Sequence, residues 1–259
     1  MTASFSTAKS KEIIYPSSDG EPVAETYDHL YALLTTLAVL TQYLQGRQAT
    51  VLANQFLYYS QGFPSLRVAP DVMVIFGVTP GGRDNYKIWE EGQVPAVIFE
   101  ITSQGTKGQD LGFKKTLYEQ LQVREYWLFD PKGEWIETQL KGYKLQGEIY
   151  QPIPDNKSEV LNLRLESAGK IINFYREDTG EKLLIPDELA ASLQQETKAR
   201  IIAEQRAEQE RQGAEQERQR AEQERQRAEE LRLELEQEKQ RGEKLAERLR
   251  ELNIDPNQL

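Results

Sequence analysis

The chain has 259 residues, no cysteine, a single histidine and a formal net charge of -10. These numbers exclude a disulfide scaffold, a thiolate zinc centre and any site built on two or three imidazoles. An acidic total also argues against a bulk electrostatic footprint for nucleic acid, although a metal-dependent nuclease carries acid where it works and local basic patches coexist with a negative total.

Composition changes sharply near Pro186. Nearly all aromatic residues and the Gly/Pro punctuation precede it, whereas Glu, Gln, Arg and Ala follow with no Trp, Tyr or Phe. From Asp187 onward there are 19 acidic and 14 basic residues, which is half of the net negative charge. The expected organisation is an N-terminal arm (1–25), a domain of conventional size (26–186) and a charged helical tail (187–259). No basic stretch followed by an apolar one opens the chain, and no segment offers roughly 18 consecutive apolar residues, so a cytoplasmic protein that does not enter a membrane is expected.

The arm reads as mobile up to about Glu12, then as extended chain with a turn at Ser17 to Gly20. From Thr26 or Asp28 the pattern becomes helical. Leu30, Leu33, Leu34, Leu37, Leu40 and Leu44 recur at spacings of three and four, which predicts a packed first helix with Asp28 near its N-cap. His29, at the polar start of that helix, is expected on the surface or in a capping role. Residues 48–62 read as the first strand, and 77–93 as a long, Gly-rich, polar connection.

Two near-continuous apolar runs follow, as for strands covered on both faces. One opens on Asp71 (PDVMVIF) and the other closes on Glu100 (VPAVIFEI). An unpaired carboxylate buried at such a strand end costs several kcal/mol by rough estimate, so the two acids call for a shared explanation. A divalent cation supplies one. DLGFKKTLYEQLQ then predicts an amphipathic helix with Leu111, Leu117 and Leu121 inward, and with Asp110, Lys114 and Tyr118 on one face. EYWLFDPKGEWIETQL reads as strand, turn, strand, with Asp130 in the turn and Tyr126 and Trp127 packed inside. GYKLQGEIYQPI and KIINFYREDTGEKLLIP add short strands. A strand–helix–strand crossover beside antiparallel hairpins predicts a mixed α/β sheet flanked by helices.

The tail reads as one helix from about Leu189. A seven-residue repeat aligns Ala207, Ala214, Ala221 and Ala228, facing Glu210, Glu217 and Glu224, with Leu231, Leu245 and Leu252 only later. A weak coiled coil that makes a homo-oligomer and a solvated single helix are both open readings.

Metal-dependent phosphodiester hydrolysis needs carboxylates to fix Mg²⁺, and a nearby Lys can orient water or stabilise charge. Asp71, Glu100 and Lys114 supply that set. Plainer readings are a strand-capping Asp71 and a Glu100 salt-bridged to Lys114 without metal. The pattern Pro70-Asp71, PAVIFEI ending at Glu100, Asp110, Lys114, Tyr118 and REYWLFDP resembles the Uma-type putative restriction endonuclease family of the PD-(D/E)XK nuclease superfamily. DGEPVAETYDHLYALL, GYKLQGEIY, REDTGEKL and the LAERLRELNIDP ending are similar to it as well.

That resemblance implies a restriction-endonuclease-like core and Mg²⁺-dependent (or Mn²⁺-dependent) DNA cleavage. Asp71 and Glu100 match its metal ligands, with the backbone carbonyl of Ile101 as a third. Thr102 stands where the strand Lys of the D/E-X-K triplet is usual. A helix Lys matches Lys114 instead, with Lys115 its competing neighbour. Glu25 matches an acidic position that some members bring to the metal. A nuclease-fold interaction protein that no longer cleaves, and acts through its tail, is the alternative.

Overall fold

The structure is a computed structural model, described here for residues 13–20, 25–103 and 105–251. The stretch expected to be mobile up to Glu12, and Leu252 of the tail seam, lie outside these. In chain order the elements are helix α1 (Tyr27–Tyr43), β1 (Ala49–Ala53), β2 (Leu57–Tyr58), β3 (Arg67–Val68), β4 (Val72–Phe76), β5 (Tyr86–Lys87), α2 (Ile88–Glu91) and β6 (Val97–Ile101). There follow α3 (Lys107–Gln109), a π-helical turn (Asp110–Lys114), α4 (Lys115–Gln120), β7 (Glu125–Phe129), β8 (Leu140–Gln146) and β9 (Ile149–Ile153). The last are β10 (Lys157–Ser158), β11 (Leu163–Ala168), β12 (Ile171–Arg176), β13 (Lys182–Leu183) and α5 (Pro186–Glu251).

The two apolar runs become β4 and β6, adjacent in a six-stranded sheet of order β1-β4-β6-β7-β8-β9. Only β6 and β7 pair in parallel, joined by the helical crossover, and the remaining neighbours are antiparallel. Every residue of β6 and β7 is buried, because both faces of the sheet are covered. On one face, α1 packs with β11 and β12 of a second, four-stranded sheet around Phe99, Trp127 and Phe174. On the other face α4, β2 and β5 enclose Met73, Ile98, Tyr118, Tyr126, Tyr143 and Tyr150.

Several expectations are corrected by this packing. The first strand breaks at Asn54, whose φ of 51° is left-handed, and β2 leaves for a small sheet with β3 and β5. That small sheet receives the arm: Tyr58 Oη donates to the Pro16 carbonyl at 2.6 Å, and the Gly62 amide donates to Tyr15 Oη at 2.7 Å. The long 77–93 connection supplies β5 and α2, and Arg83 holds it closed against Glu91 at 2.9 Å. The strand expected directly after the Asp130 turn starts only at Leu140, because Asp130 accepts amides of Lys132, Gly133, Trp135 and Ile136 and winds that segment around itself.

Helix α1 is also rolled relative to its leucines. Its buried face is His29, Ala32, Leu33, Thr36, Val39 and Leu40, while Leu30 and Leu34 stay exposed. Thr35 is accommodated inside because its hydroxyl donates back to the Tyr31 carbonyl at 2.8 Å. Thr26, not Asp28, is the N-cap, accepting the His29 amide, and Asp28 pairs with Lys170 at 2.7 Å. The roll takes His29 off the surface. Leu111 likewise stays exposed where it was expected inward, since the π-helical turn displaces it from the face that Leu117 keeps.

The contacts divide the chain into two units, Met1–Ala190 and Ala191–Leu259. The described residues of the second are helical, with Leu231, Leu235 and Leu245 exposed. Among the described residues no helix is long and apolar enough to cross a membrane.

Gly142, paired with Trp127, has the least room for a side chain of the described glycines. A Cβ there would sit well inside contact distance of the indole ring. Overpacking of this kind costs about 1–3 kcal/mol. Gly142→Ala is therefore expected to lower the thermal midpoint by several degrees in calorimetry, and Gly82→Ala, at an open position without left-handed backbone, by less.

Candidate active site

Asp71 directly precedes β4. The antiparallel ladder pairs Val72 with Phe99, and one further step sets Asp71 opposite Glu100. Opposite residues on such a ladder project to the same face with Cβ atoms roughly 5 Å apart, so strand pairing closes a separation of 29 positions in the chain. Asp71 Oδ2 accepts the Ile101 amide at 2.6 Å, which fixes the carboxylate at the end of β6.

Glu100 has no solvent exposure. Lys114 Nζ lies 2.8 Å from its Oε2, and Tyr118 Oη donates to its Oε1 at 2.7 Å. Lys114 also lies 3.1 Å from Asp110 Oδ1. The face predicted from the spacing of Asp110, Lys114 and Tyr118 is thus present, but through a π-helical turn over Asp110–Lys114. Such a wide turn is uncommon and recurs at functional sites, where it re-aims side chains. Tyr126 Oη anchors it by donating to the Asp110 carbonyl at 2.8 Å. Of the two adjacent lysines only Lys114 reaches Glu100; Lys115 Nζ lies 4.6 Å from the centroid of the Tyr143 ring.

The electrostatics follow from this crowding. Burial raises the pKa of Glu100 to about 8 against the pull of Lys114, and the charges of Asp71 and Asp110 push the same way. Burial likewise raises Asp110 in spite of Lys114. Burial opposes the charged form of Lys114, but Glu100, Asp110 and Asp71 outweigh it and hold the ammonium well above its ordinary range. Tyr118 is raised by burial first and by Glu100 second, and so serves as a donor only.

His29 approaches from α1. Its ring is buried, and Nε2 lies 3.6 Å from Asp71 Oδ1 and 3.5 Å from Glu25 Oε2. Burial disfavours the charged imidazole, but Asp71, Glu25 and Glu100 together raise its pKa. The expectation of a surface or capping histidine is therefore overturned. Spacing held a signal for it: His29 begins the true buried stripe of the helix, and Glu25 lies four residues before it, just ahead of the Thr26 cap. A cleft of roughly 430 Å³ opens beside it, lined in part by Thr26, His29, Thr102, Ser103 and Lys132.

The expected site residues thus separate as follows. Asp71, Glu100, Ile101 and Lys114 come together, with Glu25 reached through His29. Thr102, at the usual Lys position, is buried, and its hydroxyl has no hydrogen-bond partner among the described residues. Asp130 organises its own loop, and Tyr126 and Trp127 are core, as expected.

A family model described as Uma2, putative restriction endonuclease, matches residues 7–173. Among solved structures, one described as a putative nuclease belonging to DUF820, from Anabaena variabilis ATCC 29413, is similar with 16% sequence identity and a TM-score of 0.39. The match covers 56% of this chain and 79% of that one. A search of curated proteins gives no match.

The raised acids have a consequence for stability. A carboxyl whose folded pKa lies above its unfolded value binds more protons when folded, so its contribution is complete below the unfolded pKa and is lost as pH rises through the folded one. Glu100, Asp110 and His29 all act in that sense. Without metal, the thermal midpoint is expected to fall between about pH 5 and about pH 8, with a shallower fall in Glu100→Gln. Calorimetry across that range in the presence of a chelator measures it.

Proposed function

The chain belongs to the Uma2 family of putative restriction endonucleases, and from that premise we propose that it is a metal-dependent, cytoplasmic endonuclease hydrolysing DNA phosphodiester bonds. The nuclease-like domain is placed at 26–186, with Asp71 and Glu100 holding Mg²⁺ or Mn²⁺ and Lys114 assisting. The observation that carries this reading is an excess of buried negative charge. Glu100 and Asp110 flank one ammonium, and Asp71 adds its charge from the neighbouring strand. A purely structural pair would need only Glu100 and Lys114, and each further carboxylate adds repulsion that the fold must offset. A divalent cation removes that repulsion, and the donor set is of the hard oxygen type such an ion takes.

When bound, the cation would polarise the scissile phosphate and lower the pKa of an attacking water. The residues supply the rest. Asp71 is held rigid by the Ile101 amide. An extended residue sends its amide and carbonyl to the same side, so the Ile101 carbonyl is available beside Asp71 as a third ligand. Tyr118 fixes one oxygen of Glu100. Lys114, on the other oxygen, is charged and reaches the site from the helix, where it can hold a water or a phosphate oxygen. This is the position that Thr102 leaves vacant on the strand.

Thr102 is also the feature that favours a second reading, an inactive nuclease-fold protein that oligomerises through its tail. Sedimentation of the full chain showing a monomer that nonetheless cleaves DNA would dismiss it.

Incubation of purified protein with supercoiled plasmid and Mg²⁺ or Mn²⁺ is expected to give nicked and linear products. Asp71→Asn and Glu100→Gln are expected to lose on the order of a hundredfold or more in rate, Lys114→Ala to fall comparably, and Lys115→Ala to stay near the parent. Unchanged cleavage in the first two, with folding verified by circular dichroism, would remove the chemistry from this cluster.

A further inference from the structure

We infer that the cleft beside Asp71 takes one unstacked nucleotide, its base against the indole of Trp135 and its phosphate toward Thr102, Ser103 and Lys132, so that single-stranded or locally unpaired DNA is the preferred substrate. The inference rests on the proposed nuclease reading and names the form of DNA that reading leaves open. The cleft begins where the candidate site ends: His29, paired with Asp71, and Thr102, which follows Ile101, both line it. Its volume of roughly 430 Å³ suits one nucleotide-sized ligand.

Trp135 indicates what enters. The turn that carries it is fixed in advance, because buried Asp130 accepts the amides of Lys132, Gly133, Trp135 and Ile136. Ile136 is the residue of that turn that joins the core. Trp135 beside it stays partly exposed, and borders both the cleft and a second recess of roughly 550 Å³ that it shares with Leu111, Leu140 and Pro152. An indole on a backbone already held in place offers an aromatic face at little entropic cost, and stacking of bases on aromatic rings is a general means of holding single strands. A base inside an intact duplex has both faces covered by its neighbours. It must leave the stack first, at a cost that an unpaired strand does not carry.

The polar lining carries the second, independent sign. Thr102 is 4% exposed, and its hydroxyl has no hydrogen-bond partner among the described residues. A buried hydroxyl left in that state is costly, and a ligand rich in acceptor oxygens relieves it. Ser103 adds a second hydroxyl to the cleft and Lys132 a positive charge. The acids that line it are largely spent: Asp28 is paired with Lys170 at 2.7 Å, and Asp130 gives its oxygens to the four amides. Glu134 remains, and is exposed to solvent. Hydroxyls and a lysine together with an indole match the two halves of a nucleotide, an anionic phosphate and a flat base.

The full chain is titrated, with Ca²⁺ in place of Mg²⁺ and strand integrity verified on gels, with a dye-labelled single-stranded oligonucleotide and with a hairpin duplex of the same base composition. Dye anisotropy reports affinity, and tryptophan emission reports stacking. The single strand is expected to bind at least about tenfold tighter than the duplex and to quench the emission. The quench is expected to vanish in Trp135→Phe, since Trp127 is buried in the core and Trp89 packs against Tyr15. Trp135→Ala is expected to weaken single-strand binding by roughly 5–100-fold and duplex binding little, while Trp135→Phe keeps most of the affinity. A purely structural indole would lower both affinities alike. Equal affinity for the two forms of DNA, or no binding of either, overturns the inference, as does a quench that persists in Trp135→Phe or is absent from the parent chain, which requires no variant to fold. A folded Trp135→Ala chain that binds the single strand as tightly as the parent also overturns it, and the plasmid assay then still decides the nuclease reading. Trp135-dependent, strand-selective binding by a protein that cleaves neither single-stranded circles nor plasmid supports the cleft and overturns the nuclease reading.

Discussion

A fully buried carboxylate at the end of a central strand has to be neutralised, and in this chain the neutralisation of Glu100 organises everything around it. An isolated charge in that position would cost several kcal/mol by rough estimate. Lys114 and Tyr118 take its two oxygens, which requires a helix to lie across the sheet at the correct height. The crossover between β6 and β7 supplies that helix, and the π-helical turn at Asp110–Lys114 sets the rotation that brings the ammonium to the carboxylate. The same ladder that buries Glu100 presents Asp71 beside it, so the fold both creates the excess negative charge and holds it in place.

On the proposed reading, the charge that a strand lysine would bring comes instead from Lys114 on the helix. Thr102 occupies the strand position with a buried hydroxyl, unpaired among the described residues, and the cation comes from a helix one layer away. Placing it there has a mechanical consequence. A strand lysine is fixed by the sheet, whereas Lys114 depends on a wide helical turn tied down by Tyr126 through the Asp110 carbonyl. Around this centre the outer parts serve geometry: α1 brings Glu25 and His29 to the strand ends, and Asp130 winds its loop along the cleft.

Much of this was legible in the sequence because it follows from local rules. The double-sided burial of β4 and β6 reads directly from their uninterrupted apolar runs, and the four-residue spacing of Asp110, Lys114 and Tyr118 reads as a helix face whether the turn is α or π. The convergence of Asp71 and Glu100 required only that two consecutive runs pair as neighbours. What escaped depends on tertiary choices. Helix α1 carries leucines at two competing phases, and the stripe that is buried, starting at His29, is the less apolar one; the sheets decide this, not the helix. The break at Asn54 rests on a left-handed residue in an otherwise strand-like run. The late start of β8 rests on Asp130 gathering four amides, which no periodicity announces.

The account stands or falls on whether the cluster around Asp71 and Glu100 takes a divalent cation. The most direct measurement is anomalous scattering at the manganese edge from a crystal of the full chain grown with Mn²⁺ and a DNA duplex. The account predicts an anomalous peak bonded to a carboxylate oxygen of Asp71, with Glu100 facing it and a phosphate oxygen of the DNA within reach. Anomalous peaks confined to the protein surface, with Asp71 and Glu100 turned away from each other, would contradict it.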